Sequence, residues 1–363
     1  MPRDGTARPR VAIVLFNLGG PDRPEAIWPF LLNLFRDKAI LRVPFFVRPI
    51  LARIIARSRL KPATANYALL GGGSPLLELT QAQARALQAA LPELDAKCFV
   101  AMRYWHPFSA ETARAVKEFA PERVLLLPLY PQYSTTSTGS SLTAWREAAA
   151  AVGLVAPTTA LCCYHTDPGY VAATAERVRT AYAEARAKLG GTARLRVLFS
   201  AHGLPQAIVA AGDPYQYQIG RTVAAVLRAW GSAADEKVDA SVCYQSRATP
   251  RPWLTPSTES EIERAAHDGV AVLVVPIAFV SEHSETLVEL DVEYRALADR
   301  LGVPGYFRVP AQNDDPAFID ALAGLARRAL GRGPGLGSFA GGRTCPAAHD
   351  DCPHARAGAA LAA

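Results

Sequence analysis

Cysteine is scarce in this sequence: Cys98, Cys162, Cys163, Cys243, Cys345 and Cys352 are spread over 363 residues. So few thiols cannot staple a chain this long, which excludes a disulfide framework and makes a reducing, cytoplasmic setting the expectation. Long apolar runs are missing as well. Prolines and arginines break every candidate before the roughly 18–20 residues that a membrane-spanning helix needs. The apolar stretch 11–18 follows basic residues, but it is short and runs straight into Gly19-Gly20-Pro21, so it reads as a buried strand and not as a secretion signal. No sign of charge dominates: 39 Lys and Arg against 33 Asp and Glu leave +6, too little to argue for nucleic acid without a concentrated patch. With 50% hydrophobic and 20% charged residues, the composition is also far from that of disorder.

What the sequence has is alternation. Apolar runs at 11–18, 98–104, 123–129, 158–163, 195–201, 240–244 and 271–277 are separated by helical stretches at 77–90, 109–119, 170–189, 215–230 and 257–267. Continuous apolar strands alternating with helices predict an α/β fold, with parallel sheets covered on both faces. The length suits two such units. The expected organisation is an extension at 1–10, a first domain at 11–170 with a lip at 43–60, a second domain at 171–331, and a linker and Cys/His-containing tail at 332–363. Each half opens with a strand and a glycine-bearing loop: Asn17-Leu18-Gly19-Gly20-Pro21 in one, Ser200-Ala201-His202-Gly203-Leu204-Pro205 in the other. Ligands of such folds sit beyond the carboxyl ends of the strands, which directs attention to these exits.

Two exits carry proton or cation chemistry. After the strand at 271–277, Ser281 caps an expected helix on which Glu285, Glu289 and Glu293 fall at i, i+4 and i+8, beside His283. Like charges at this spacing repel, with no Lys or Arg next to them to relieve it. The stripe is either a plain solvated face or a track that handles cations and protons. His202 leaves its strand on a Gly/Pro turn that presents the imidazole at the crevice mouth; opposed to Glu285 it would accept protons or ligate a divalent metal. The hydroxyl-rich exit at 131–141 is an anion site in principle. Gly71-Gly72-Gly73-Ser74-Pro75 lacks the Lys-Ser/Thr of a phosphate loop and the spacing of a dinucleotide fingerprint, so no nucleotide cofactor is expected.

Taken in order, these segments resemble the ferrochelatase family, whose members insert Fe²⁺ into a porphyrin at the end of haem synthesis. The resemblance runs from about residue 11 to 330. It is carried by the two glycine-bearing loops, Gly71 to Pro75, Arg103-Tyr104, Gln132-Tyr133-Ser134 with Thr138-Gly139-Ser140-Ser141, Tyr244-Gln245-Ser246, Pro252-Trp253-Leu254 and Glu282-His283-Ser284-Glu285-Thr286-Leu287. It implies two Rossmann-like domains of the chelatase type with the active-site cleft between them. It also implies protoporphyrin IX and ferrous iron as substrates, His202 and Glu285 as catalytic residues facing each other across the macrocycle, and His283, Glu289 and Glu293 with them as metal ligands. Porphyrin contacts implied are Leu18 on the metal side, Arg59 and Ser74 at the propionates, Tyr67, Arg103 and Tyr104 along the cleft, and Trp253 in its wall.

The stretch 43–60 mixes exposed-type apolar residues with Arg48, Arg53, Arg57 and Arg59 and reads as a basic amphipathic lip. It either rests on the inner face of the cytoplasmic membrane or only covers the cleft. A homodimer is a further expectation. Some members of the family carry a 2Fe–2S cluster on one mid-chain and three tail cysteines. Here Cys345 and Cys352 are followed by His354, Cys162 or Cys163 would complete the set, and one familiar mid-chain position is Thr135. Such a tail suits a cluster or zinc, or else carries unligated thiols. The rivals are a coproporphyrin or other tetrapyrrole chelatase, and a tetrapyrrole carrier without catalysis.

Overall fold

The computed structural model describes residues 8–190, 193–231, 238–247, 249 and 251–355, so most of the extension at 1–10 and the last residues of the tail lie outside the described residues. The strands are β1 (Arg10–Asn17), β2 (Asp95–Met102), β3 (Arg123–Pro128), β4 (Thr158–Leu161), β5 (Leu195–His202), β6 (Ala240–Gln245), β7 (Ala271–Pro276), β8 (Tyr306–Arg308) and β9 (Gly335–Gly337). They form two all-parallel sheets, of order β2-β1-β3-β4-β9 and β6-β5-β7-β8. The fold is α/β, as the alternation predicts.

Strand β1 explains why its sequence is apolar throughout. Val11, Ile13 and Leu15 face one hydrophobic cluster while Ala12, Val14 and Phe16 face another, so both pleat faces are buried and the period-two alternation of a half-exposed strand disappears. The first of these clusters does not stop at one sheet. It continues through α6 (Pro168–Lys188) and α11 (Pro316–Arg332) to Phe199 and Val275 under the second sheet. Arg177 on α6 and Asp315, which caps α11, pair at 3.0 Å beside it.

In each sheet the chain leaves the central strand to one side and returns on the other, at β1 and at β5. The crevice of a doubly wound sheet opens at that reversal. The two residues placed there are Leu18, just past β1, and His202, the last residue of β5.

Two expectations are corrected. The stretch from 332 is not a free linker: β9 pairs in parallel with β4, Thr159 opposite Gly335 and Leu161 opposite Gly337, and the Arg332 guanidinium donates to the Ser338 carbonyl at 2.6 Å. Glycines carry no strand signal, and this strand exists because β4 offers an edge to pair with. The acidic helix is also not an α-helix. Glu285–Tyr294 is a π-helix, continued by α10 (Arg295–Arg300). Its i→i+5 winding is the form that recurs at functional sites, and it brings the Tyr294 hydroxyl onto Glu289, five residues earlier, at 2.9 Å.

Candidate active site

The charged wall of the crevice comes from the second sheet. His202 Nδ1 lies 2.6 Å from the Gly203 carbonyl oxygen, which can only accept, so this nitrogen carries the proton of the neutral ring. Nε2 is left with its lone pair and faces Glu285 Oε1 at 3.7 Å. From the other side His283 Nε2 stands 3.6 Å from Glu285 Oε2. Both separations exceed a hydrogen bond, so the carboxylate sits between two imidazoles without being tied to either. Phe279 packs on His283, ring centroids 4.6 Å apart, and supplies an apolar surface between the two histidines. Burial pushes the Glu285 carboxyl up, but the charges that His202 and His283 carry when protonated outweigh it and hold the pKa down, at about 2. The side chain is therefore an anion at neutral pH.

The backbone around His202 is over-determined. Gly203 N–H donates to the Gln245 carbonyl at 2.8 Å, and the Tyr215 hydroxyl donates to the His202 carbonyl at 3.0 Å. A methyl group on Gly203 would meet the Gln245 carbonyl at 2.9 Å and the Trp253 ring at 3.2 Å. Trp253 is thus buried directly behind the turn that carries His202, its indole N–H on the Thr249 carbonyl at 3.0 Å.

Glu289 is caged. Gln245 Nε2 donates to it at 3.0 Å, Ser246 N–H at 2.9 Å and the Tyr294 hydroxyl at 2.9 Å, with the Ser246 hydroxyl as a fourth donor. Burial and then the charge of Glu285 raise its pKa. Glu293 is exposed at the outer end, where Asn66 of α2 (Arg48–Ala68) donates to it at 3.1 Å. The three carboxylates run from a half-buried position to solvent.

The opposing wall is neutral. Leu18 N–H donates to the Asn17 side chain at 2.8 Å, and Asn17 in turn donates to Thr80 of α3 (Leu76–Ala89) at 3.0 Å. Ser74 packs so closely on Gly20 that a methyl group there would meet it at 2.6 Å. The Tyr67 hydroxyl is 3.4 Å from that of Ser284, one residue before Glu285, and burial pushes its pKa up to about 12. Helix α3 also reaches across: Gln83 donates to the carbonyls of Val280 at 3.0 Å and Asn313 at 2.9 Å and accepts from the Ser281 hydroxyl at 2.9 Å. Both walls are therefore hung on one helix.

Arg103 and Tyr104 take a different place from the one expected. Tyr104 is fully buried and its hydroxyl donates to Asp37 at 2.7 Å, so it backs the wall without lining it. Arg103 pairs with the same carboxylate at 2.8 Å and donates to Ser140 at 2.6 Å. Arg59 is half-buried on α2. Asp37, Gln83 and Tyr215 had no motif to mark them; Gln245 and Ser246 stood in a motif without a role, and the register of β5 with β6, which puts His202 opposite Gln245, shows what they hold.

The tail thiols are buried beneath the end of β4. Cys162 and Cys163 Sγ atoms are 3.2 Å apart, and the contact with Cys162 holds the Cys163 thiol down at about 5. Gln218 donates to Cys345 Sγ at 3.1 Å, the neighbouring Cys345 holds Cys352 at about 7, and His354 Nε2 is buried without a hydrogen-bond partner. Among the described residues no three His, Cys, Asp or Glu side chains gather tightly enough to hold a single metal ion.

A ferrochelatase family profile matches residues 10–330. The chain belongs to the ferrochelatase family. It is 51% identical to the ferrochelatase of Caulobacter vibrioides over 95% of this chain and 97% of that one. It is also 51% identical to the ferrochelatase of Phenylobacterium zucineum, over 94% and 97%. A solved sirohydrochlorin chelatase, SirB from Bacillus subtilis subspecies spizizenii in complex with cobalt, is similar at 12% identity and a TM-score of 0.48 over 88% of this chain and 94% of that one. As a ferrochelatase the chain is an enzyme, one that inserts iron into a porphyrin in haem synthesis. No described helix is long and apolar enough to cross a membrane.

Proposed function

We propose that the substrates are Fe²⁺ and protoporphyrin IX, and that His202 and Glu285 carry the insertion. The observation on which this rests is the pinned His202 ring: with Nδ1–H on a backbone carbonyl, only Nε2 can act, and it points at a carboxylate. Insertion has to remove two pyrrole protons and strip water from the metal. The lone pair of Nε2 takes a pyrrole proton, the resulting imidazolium is stabilised by the Glu285 anion beside it, and once that proton has passed to solvent the freed Nε2 takes the second. Glu285, charged at neutral pH and without a hydrogen bond on Oε2, meets the dication; His283, Glu289 and Glu293 continue the oxygen- and nitrogen-donor track along which a hard cation exchanges water in steps. Leu18, Tyr67 and Ser74 then form the wall against the flat ring, with Trp253 backing the turn of His202 and Arg59 as the cation near the acidic edge of the ring.

The finer features of the tail and lip belong to the same reading. Cys163, Cys345, Cys352 and His354, with Cys162 alongside, are a donor set for a 2Fe–2S cluster, whose ligands stand further apart than those of a single ion; two thiols held low and an orphaned buried imidazole nitrogen favour it. Phe45, Phe46, Ile50 and Ile54 are 79%, 66%, 63% and 60% exposed, and among Arg42, Arg48, Arg53 and Arg57 they suit a peripheral contact with an anionic membrane.

The test is anaerobic Fe²⁺ insertion into protoporphyrin by wild type, His202→Ala and Glu285→Gln, with porphyrin binding followed separately by fluorescence. Each variant is expected to bind porphyrin and to lose a factor of about 10²–10⁴ in kcat. Full turnover in either would remove that residue from the mechanism.

A further inference from the structure

None of the residues lining a cavity of about 800 Å³ beside the helices Ile27–Arg36 and Thr138–Val152 belongs to the His202–Glu285 set. Six cationic side chains line it: Arg36, Lys38, Arg42, Arg48, Arg103 and Arg146, against the carboxylates of Asp37, Glu147 and Asp351. The cations come from separate elements: the end of α1 (Ile27–Arg36) and the loop after it, the start of α2, the exit of β2, and α5 (Thr138–Val152). Several are held in place. Arg103 is fixed on Asp37 and Ser140, Arg42 donates to Thr135 at 2.9 Å, and Arg48 donates to the carbonyls of Leu41 at 3.2 Å and Val43 at 2.9 Å. Asp37 is spent on Arg103, Tyr104 and Ser140, so the remaining field is positive.

The position of this cavity decides its ligand. In sequence Arg42 and Arg48 bracket Phe45 and Phe46, the most exposed apolar side chains of the lip, and Ile50 follows. A free anion needs no greasy neighbour; a molecule with an anionic head and an acyl body needs both. We propose that the cavity receives the phosphate headgroup of an anionic phospholipid while Phe45, Phe46 and Ile50 enter the acyl layer. Guanidinium groups are suited to this by their fork of donors, which matches phosphate oxygens in pairs. The inference rests on the membrane reading above and adds headgroup selectivity to it.

The experiment is co-sedimentation of the full chain with phosphatidylcholine vesicles and with phosphatidylcholine–phosphatidylglycerol vesicles. Wild type is compared with Arg36→Gln/Arg146→Gln and with Arg53→Gln/Arg57→Gln, which removes equal charge outside the cavity; thermal melting checks the fold of each. At roughly 1 kcal/mol per basic residue near an anionic surface, the cavity variant should bind mixed vesicles about ten- to thirtyfold more weakly, with binding to phosphatidylcholine unchanged. The Arg53/Arg57 variant should lose clearly less. Equal losses in both variants would mean diffuse charge only and overturn the proposal. Binding to both vesicle types without preference would overturn it and leave the lip reading standing, and binding to neither would end both. Inorganic phosphate competing at the concentration of the lipid phosphate would overturn it in favour of a soluble anion.

Discussion

Strands β1 and β5 hold the same position in their sheets, each central, each paired on both sides, each ending at the crevice. What leaves them differs. Past β1 the chain offers the Asn17 amide and Leu18, settled by neutral hydrogen bonds to Thr80 and to its own backbone. Past β5 it offers an imidazole set against a carboxylate. One topology thus supplies a neutral wall and a charged wall. The charged one needs heavier support, because charges held out of water must be paired. Arg308, 10% exposed, binds Glu282 at 2.8 Å and Asp291 at 2.7 Å and so clamps the π-helix from both sides of Glu285.

The largest test of this asymmetry is to cut the support on each side. Arg308→Met leaves the buried Glu282 and the half-buried Asp291 without their partner and should cost about 3–5 kcal/mol in chemical denaturation. Asn17→Ala, on the neutral wall, should cost about 1–3 kcal/mol. Equal costs would erase the distinction. A smaller effect comes from the two loop glycines. Gly203→Ala drives a methyl group against the Gln245 carbonyl and the Trp253 ring, and should cost about 1–3 kcal/mol and lower kcat by displacing His202. Gly20→Ala presses on Ser74 in the wall, so its kinetic effect should fall on the porphyrin KM. The smallest effect is a pH dependence. Glu285 has a folded pKa near 2, below its ordinary value of 4.5, so its contribution is complete above pH 4.5 and is lost as pH falls through 2. The stability gap between wild type and Glu285→Gln, measured by denaturation at a series of pH values, should shrink over that window. The gap between wild type and Tyr67→Phe should stay flat, since that hydroxyl is neutral throughout.

Much of this arrangement was legible. The seven apolar runs correspond to β1 through β7, because strands buried on both faces leave an unbroken signal. His202 and Glu285 were legible because strand exits and helix spacing are local. The rest depended on tertiary pairing. Strand β8 is three residues long, β9 is mostly glycine, and the π-helix differs from an α-helix only in which backbone carbonyl each N–H finds. The family resemblance implies Tyr104 in the cleft. Its hydroxyl turns inward to Asp37, a lone acid in an apolar helix end that no motif singles out.

The pairing of β9 with β4 also sets an order of synthesis. The first sheet is begun by the first strand made and finished only by residues 335–337, after the whole second sheet has been added. Until then β4 presents an open edge able to pair with any neighbouring chain. The amino-terminal half therefore does not separate as a clean fragment, and the exposed edge is covered only after residues 335–337 have been made.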